Sequence, residues 1–146
     1  MSGTKRAIGW GLAAGVAGTA AMTLSQRLEQ SFTHREGSTV PAQVGAKVMG
    51  SAPATEEGAL QMGWAVHWSH GVTMGLVRGL LGLTPMSAGA ASAVHFGALW
   101  GGDALLYRAL GIDEMPWKWE KEGLVTDLGH KLVLSAVTSA VFVSRY

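Results

Sequence analysis

Six ionisable side chains lie in stretches of the sequence that are otherwise almost free of polar residues. They are His67, His70, His95, Asp103, Asp127 and His130. An imidazole can ligate haem iron or a divalent metal, and a carboxylate commonly orients its second ring nitrogen. A histidine beside an aspartate can also relay or sense protons, because imidazole titrates near physiological pH. The residue types therefore allow three roles: cofactor ligand, proton carrier, or buried polar group that only hydrogen-bonds between helices.

The spacing of these residues indicates which of them can act together. At about 100° per residue, His67 and His70 lie about 60° apart on a helix, and a second pair three residues apart, Asp127 with His130, does the same. His95 and Asp103 are offset by about 80°. If these faces meet, the histidines and aspartates share one polar cluster. Asp127 with Lys131, at the i,i+4 spacing, is most simply a local salt bridge.

The sequence lacks the motifs that would make any of these roles specific. It contains no CxxCH, no HExxH and no repeated Glu-x-x-His, so haem or a divalent metal is only one alternative and the absence of any cofactor is the simpler expectation. It also contains no cysteine. Because no nucleophile, activating base and oxyanion donor can be assembled, we expect a protein that is not an enzyme. The net charge of +1, without a basic run, argues against nucleic acid as a partner.

Composition indicates that these residues belong to a membrane protein. Only 14% of the residues are charged, against about 25% in a typical soluble domain. Charge-poor segments near the length of about 20 residues that a membrane helix needs cover residues 7–27, 58–82, 86–110 and 123–144. The last is the least clean, since Asp127, His130 and Lys131 fall in its first two turns. We expect an all-α polytopic membrane protein, a single domain over residues 1–146 built as a four-helix transmembrane bundle.

The long connection between the first two segments contains one further element. Its middle, PAQVGAKVMG, places Val44 and Val48 on one side of a short helix that begins at Pro41 and ends at Gly50. This pattern predicts an interfacial helix lying on the bilayer, with a plain surface loop as the alternative. Downstream, Thr55 is predicted to cap the second long helix.

Glycines at four-residue spacing predict how the helices pack. In lipid, small residues let helix backbones approach closely, and such contacts replace the hydrophobic effect as the main attraction between helices. The small-xxx-small positions are Gly11 and Gly15, then Gly71, Gly75 and Gly79, then Gly97 and Gly101. Each set is expected to form a packing face. A soluble bundle is the weaker alternative, because each interior glycine costs a helix in water about 1 kcal/mol.

The order of several short motifs resembles that of the YagU-like family of bacterial inner-membrane proteins. The motifs are VHWSHG, then SAVHFG with LLYRALGI, then EMPWKWEKEGLVTDLGHKLV. The matching positions are His70, His95, Leu110 with Gly111, Pro116 with Trp117, and Gly129 with His130. The resemblance implies four spans in the inner membrane, both termini in the cytoplasm, no established catalytic activity, and an association with tolerance of acid. The Lys and Arg count mildly favours the opposite orientation.

Together these observations lead to two functional expectations. The first is a small non-enzymatic inner-membrane protein, an accessory or acid-stress factor with a buried His/Asp cluster. The second is a haem-binding, metal-binding or proton-handling membrane protein that uses the helix histidines. The expected partners are the lipid bilayer and either further copies of the chain or a larger membrane complex.

Overall fold

The computed structural model describes residues 2–146, so the first residue of the expected domain lies outside it. Five α-helices and one short 3-10 helix follow one another along the chain, and residues 2–146 contain no strand. The elements are α1 (Gly3–Thr33), α2 (Val40–Met49), α3 (Glu56–Leu81), α4 (Ala88–Ala109), η1 (Pro116–Lys118) and α5 (Lys121–Arg145). The all-α prediction is confirmed.

Local sequence signals set the boundaries of these helices. Thr55 caps α3 as expected, its hydroxyl oxygen accepting from the Gly58 N–H at 3.0 Å. Ser87 caps α4 in the same way, accepting from the Ala90 N–H at 3.2 Å. A hydroxyl at this position satisfies one of the amide groups that the first turn of a helix leaves free. A turn around Pro85 separates the two helices.

The four long helices run alternately up and down around a common core. α1 packs against α3 and α5, and α4 completes the bundle against the same two helices. Both chain ends therefore lie together, where the Arg6 guanidinium donates to the Arg145 carbonyl oxygen at 3.1 Å. We call this the terminal end of the bundle. The other end, where α2 lies, is the α2 end, and there Arg35 pairs with Glu29 at 3.8 Å.

The closest helix contact is between α1 and α3, and glycines form it. A Cβ placed on Gly11 would lie 2.6 Å from the Gly75 carbonyl oxygen, and one placed on Gly15 would lie 2.8 Å from the Gly71 carbonyl oxygen. Gly79 approaches the Ala7 backbone in the same way. No larger residue fits between backbones this close, so the expected packing face is present at all five of these glycines.

The expectation was wrong for Gly97 and Gly101 of α4. No atom of another element lies within 4 Å of a Cβ built on either residue. Both lie on the side of α4 that faces away from the bundle, because the inward side is taken by His95, Leu99 and Asp103, which are all buried. Within one chain, the spacing of these glycines does not correspond to a helix contact.

The predicted short helix is present as α2. Its contact with α3 is made by Gly45, whose absent side chain leaves room for Met62 and Val66. Val48 is largely exposed and does not face the protein. Gly50 ends the helix with a left-handed backbone, φ 69°, a conformation that glycine adopts without strain. α2 is therefore fixed to the bundle by a small residue.

Two helices, α1 and α5, are long and apolar enough to cross a membrane. By the same measure of length and composition, α3 and α4 are not. α5 contains the least clean of the four expected spans, yet it meets the criteria because a long apolar run follows its charged first turns. α3 and α4 fall short since histidine, tryptophan and glycine replace aliphatic residues along them. Core helices of soluble proteins and signal sequences satisfy the same criteria.

Candidate functional site

A buried ion pair lies between α4 and α5 toward the α2 end of the bundle. Lys131 Nζ is 3.0 Å from Asp103 Oδ2 and 3.2 Å from Asp127 Oδ1. Asp103 is 4% exposed and Lys131 7%. A charge enclosed to this degree needs a partner, because the loss of its hydration is repaid only by close opposite charge and hydrogen bonds. Lys131 therefore links its own helix to α4 as well as to its i−4 neighbour.

The same carboxylate is also bound by a histidine of α3. His70 Nε2 lies 3.0 Å from Asp103 Oδ1 and 3.2 Å from Oδ2. The His70 side chain is 36% exposed, so this side of the pair is open while the Lys131 side is closed. Asp103 is thus the point where α3, α4 and α5 are joined by polar contacts. Of the histidines and aspartates expected to share a cluster with His70, only Asp103 forms a hydrogen bond with it.

Two aromatic side chains complete the surroundings of the ion pair. Lys131 Nζ donates to the Tyr107 hydroxyl at 3.4 Å and lies 4.9 Å from the centre of that ring. Trp100 Nε1 donates to Asp127 Oδ2 at 3.1 Å. We call the whole group the Asp103 cluster, and its members are His70, Trp100, Asp103, Tyr107, Asp127 and Lys131. It contains two carboxylates and one ammonium group.

His95 lies in the core but outside the Asp103 cluster. It is fully buried, with Nδ1 2.7 Å from the Ser135 hydroxyl and Nε2 2.9 Å from the Met74 carbonyl oxygen. Because a carbonyl only accepts, Nε2 carries the proton and Nδ1 accepts from Ser135. Both ring nitrogens of His95 are therefore used in joining α4 to α3 and α5.

The remaining two histidines each join α1 to another helix. His67 Nε2 is 2.9 Å from the Thr23 hydroxyl. His130 Nδ1 is 2.8 Å from the Ser25 hydroxyl, and its Nε2 is 3.7 Å from Glu29 Oε2. The expectation that the histidines and aspartates share one cluster was wrong, since the four histidines of the bundle make four separate helix contacts and only His70 reaches an aspartate.

These positions do not assemble a recognisable metal or haem site. Residues 2–146 contain no group of three or more His, Asp or Glu side chains placed to hold one ion. His95 has no free nitrogen to offer, and His67 and His130 face different partners. A metal site needs convergent donors with their second nitrogens oriented by a further group. The arrangement instead fits hydrogen bonding between helices.

One regular feature connects these contacts. α5 places a polar side chain toward α3 and α4 at every fourth residue, and each one has a partner there: Asp127 with Trp100, Lys131 with Asp103, Ser135 with His95, and Ser139 with Arg78. We call these four residues of α5 the polar ladder. Residues four apart share one helix face, so the ladder follows directly from the sequence spacing.

Several members of this site were missed by reasoning from the sequence. Tyr107 lies four residues after Asp103, which was the available signal for a shared face. Ser135 and Ser139 continue the spacing of Asp127 and Lys131, but a lone serine in an apolar helix carries little information. Arg78 was not singled out from the sequence, and it is enclosed.

No known protein family, characterised protein or solved structure matches this chain.

Proposed function

We propose that this chain is a four-span bacterial inner-membrane protein without enzymatic activity, an accessory factor that helps its membrane complex persist in acid. The observation that carries the proposal is the charge balance of the Asp103 cluster. Two carboxylates, Asp103 and Asp127, surround a single ammonium group, that of Lys131. The positive charge that would balance them can come from His70, which is in contact with Asp103 and open on one side.

Insertion of all four long helices is supported by where their polar residues point. His95 and Asp103 of α4 are buried, while Val94 and Leu105 of the same helix are exposed. An ionisable residue within a span almost always faces the bundle interior. The two ionisable residues in the middle of α4 are thus on its inner side. The resemblance to YagU-like inner-membrane proteins points in the same direction.

A positive charge on His70 would balance the charges of the cluster. With neutral His70, the cluster has a net charge of −1 in a region of low dielectric constant, which is costly. Protonated His70 removes that excess and converts its hydrogen bond to Asp103 into a charge-assisted one. The charged or titratable groups that face this contact are His67 on α3, Asp103 and Tyr107 on α4, and Asp127 and Lys131 on α5.

One group of side chains between α1 and α5 has the residue types found in hydrolases. Ser25, His130 and Glu29 form a chain, with the serine hydroxyl 2.8 Å from Nδ1 and the glutamate 3.7 Å from Nε2. Ser25 lies in the middle of α1, where the neighbouring N–H groups are used within the helix. They cannot form the oxyanion hole that supplies much of the rate enhancement in acyl transfer.

The membrane arrangement is tested by labelling single cysteines, since the natural sequence contains none. Four spans place Ser2→Cys and Ser144→Cys on one side of the membrane and Ser38→Cys and Asp113→Cys on the other. Labelling of intact and opened bacterial cells with a membrane-impermeant maleimide distinguishes the two sides. Four positions accessible from the same side, or a protein released by alkaline carbonate, would contradict insertion.

The acid response is tested by thermal unfolding in a neutral detergent at pH 7.5 and pH 5.5. We expect His70→Gln to lower the unfolding midpoint more at pH 5.5 than at pH 7.5, because only a charged imidazole makes a charge-assisted contact with Asp103. His67→Gln is the matched control, because it is the neighbouring histidine on α3 and is bonded to Thr23. If His70→Gln keeps the full pH dependence, the proposed role of the cluster is wrong.

The polar ladder supports proton transfer across the bilayer as a second candidate. Its side chains reach from Asp127 to Ser139, which is about 18 Å along a helix. Leu99, also buried, lies between His95 and Asp103 along α4. Acidification of vesicles containing a pH-sensitive dye, compared between the natural protein and His95→Phe, tests this candidate. Equal rates in protein-containing and protein-free vesicles would dismiss it.

A further inference from the structure

Arg78 is a buried cation for which the described chain provides no counter-charge. It is 1% exposed. Its Nε donates to the Ser139 hydroxyl at 3.1 Å, and its guanidinium lies 4.8 Å from the centre of the Phe142 ring. Nη1 is enclosed and has no hydrogen-bond partner among residues 2–146. Within that range no carboxylate oxygen lies within salt-bridge distance of it. Enclosed unpaired charge is costly, so Arg78 indicates an anion supplied from outside the chain.

The region around Arg78 has a charge of one sign. Lys5, Arg6, Arg78 and Arg145 lie in the half of the bundle near the terminal end, and none of the ten acidic residues lies there. The acidic residues occupy the α2 end and the Asp103 cluster. An anion near Arg78 would therefore meet only attractive side-chain charges.

A groove lies between the start of α4 and the end of α5. It has a volume of about 460 Å³ and is lined mainly by small residues, including Ala88, Gly89 and Ser92 of α4 and Ala140 of α5. Ser139 also lines the groove, and its hydroxyl accepts the hydrogen bond from Arg78 Nε. The groove is therefore mainly apolar, and the Arg78 guanidinium lies behind Ser139, one of its lining residues.

The first turn of α4 adds hydrogen-bond donors at the mouth of the groove. Ala90 N–H is bound by the Ser87 hydroxyl, and Ala91 N–H by the Ser87 carbonyl oxygen. Ala88 and Gly89 occupy the first two positions of the helix, whose N–H groups have no partner within the helix. Amides at the start of a helix favour phosphate oxygens through their orientation and the helix dipole.

We propose that this groove binds an anionic phospholipid. Its phosphate lies at the first turn of α4, on the side of Ser139 and Arg78, and an acyl chain follows the groove toward the α2 end along Ser92 and Ala136. A lipid fits better than a soluble anion because the groove is lined mainly by apolar surface. This inference rests on the proposed insertion in the membrane, which would place the terminal end at one headgroup layer.

The test compares lipids that differ only in headgroup charge. The full chain is inserted in vesicles of phosphatidylcholine alone or with phosphatidylglycerol, and insertion is verified in both by resistance to carbonate extraction. We expect phosphatidylglycerol to raise the thermal unfolding midpoint and to be retained after detergent extraction, as seen by native mass spectrometry. Inorganic phosphate in neutral detergent is a separate arm. Stabilisation by phosphate that equals that by the lipid would replace a lipid site by a simple anion site.

Three variants connect the effect to the groove. Arg78→Met removes the charge, and in phosphatidylcholine it should be at least as stable as the natural protein because an uncompensated buried cation is lost. It should lose the response to phosphatidylglycerol. Gly89→Leu fills the groove, since a Cβ there meets nothing within 4 Å, and should also weaken retention. Gly102→Leu, an equally open position of α4 outside the groove, is the control.

The outcomes separate this inference from the proposed function. Vesicles that contain firmly inserted protein with equal stability in both lipids would overturn the lipid site and leave the membrane arrangement intact. The same conclusion would follow if Arg78→Met kept the full response to phosphatidylglycerol. Failure of the natural protein to insert in either lipid would contradict the proposed function itself. A groove filled by a second copy would appear as a dimer that Gly89→Leu dissociates and lipid does not affect.

Discussion

Lys131 Nζ lies 3.0 Å from Asp103 Oδ2, and the two side chains are almost completely enclosed between α4 and α5. An ion pair in this position is sensitive to the loss of either member. Removing one partner leaves the other charged, buried and unbalanced, which costs about 3–5 kcal/mol in comparable proteins. Removing both can be nearly neutral, since neither group then has to be taken out of water.

Lys131→Met is therefore expected to be strongly destabilising. It leaves the carboxylates of Asp103 and Asp127 without their ammonium group, and the imidazole of His70 is then the only basic group in contact with Asp103. We expect a loss of about 3 kcal/mol in the free energy of unfolding, measured by titration with sodium dodecyl sulfate in mixed micelles. The double variant with Asp103→Leu should recover most of this loss. A single variant as stable as the natural protein would mean that the pair is hydrated and not enclosed.

The glycine contact between α1 and α3 predicts a second large effect. In Gly75→Leu the new side chain would collide with the backbone of α1 at Gly11 and Gly15. The helices would have to separate, and we expect a loss of at least about 2 kcal/mol from overpacking. Gly97→Leu is the matched control, because its Cβ would meet open space. Equal loss in both variants would point to helix propensity, and not the contact, as the cause.

His95 provides a third prediction, which concerns hydrogen bonds inside the core. His95→Leu removes the partner of the buried Ser135 hydroxyl, whereas the Met74 carbonyl oxygen keeps its hydrogen bond within α3. A buried polar group left without a partner costs about 1–3 kcal/mol. Adding Ser135→Ala should restore part of the stability, since that hydroxyl is then gone. If the two changes are simply additive in unfolding measurements, the 2.7 Å contact contributes nothing.

The arrangement of the histidines also predicts how the protein responds to added ligands. Haemin or Zn²⁺ should leave the thermal unfolding midpoint of the purified protein unchanged, because a ligand stabilises a fold only by binding it more tightly than the unfolded chain. The histidines face separate partners, and His95 has both nitrogens engaged. A Soret band that shifts on haemin addition and disappears in His95→Leu would contradict this expectation.

Features that depend on neighbouring residues along the chain could be predicted from the sequence. Thr55 followed by two glutamates predicts the start of α3, and Pro41 with Gly50 gives approximately the limits of α2. These signals act within one turn, so they do not depend on the rest of the fold. The packing of Gly11 and Gly15 against α3 could be predicted for a related reason, because small residues at four-residue spacing form a continuous flat face.

Contacts between helices were harder to predict, because they depend on how far each helix is shifted along its neighbour. His70 and His95 both face the interior, yet His70 meets Asp103 while His95 meets Ser135. A shift of one turn would exchange such partners without any change in the sequence pattern. Gly97 and Gly101 have the spacing of a packing face but lie on the outer side of α4. Spacing alone does not state which side of a helix is covered.

The separation of charge along the bundle has an electrical consequence. The terminal end has four of the eleven basic side chains and none of the ten acidic ones, so the rest of the molecule has an excess of three negative charges. The protein is therefore a large dipole parallel to its helices. Moving one elementary charge through a potential of 100 mV is worth about 2.3 kcal/mol. In an energised membrane that is negative inside, this dipole favours the orientation with Lys5, Arg6 and Arg145 on the cytoplasmic side.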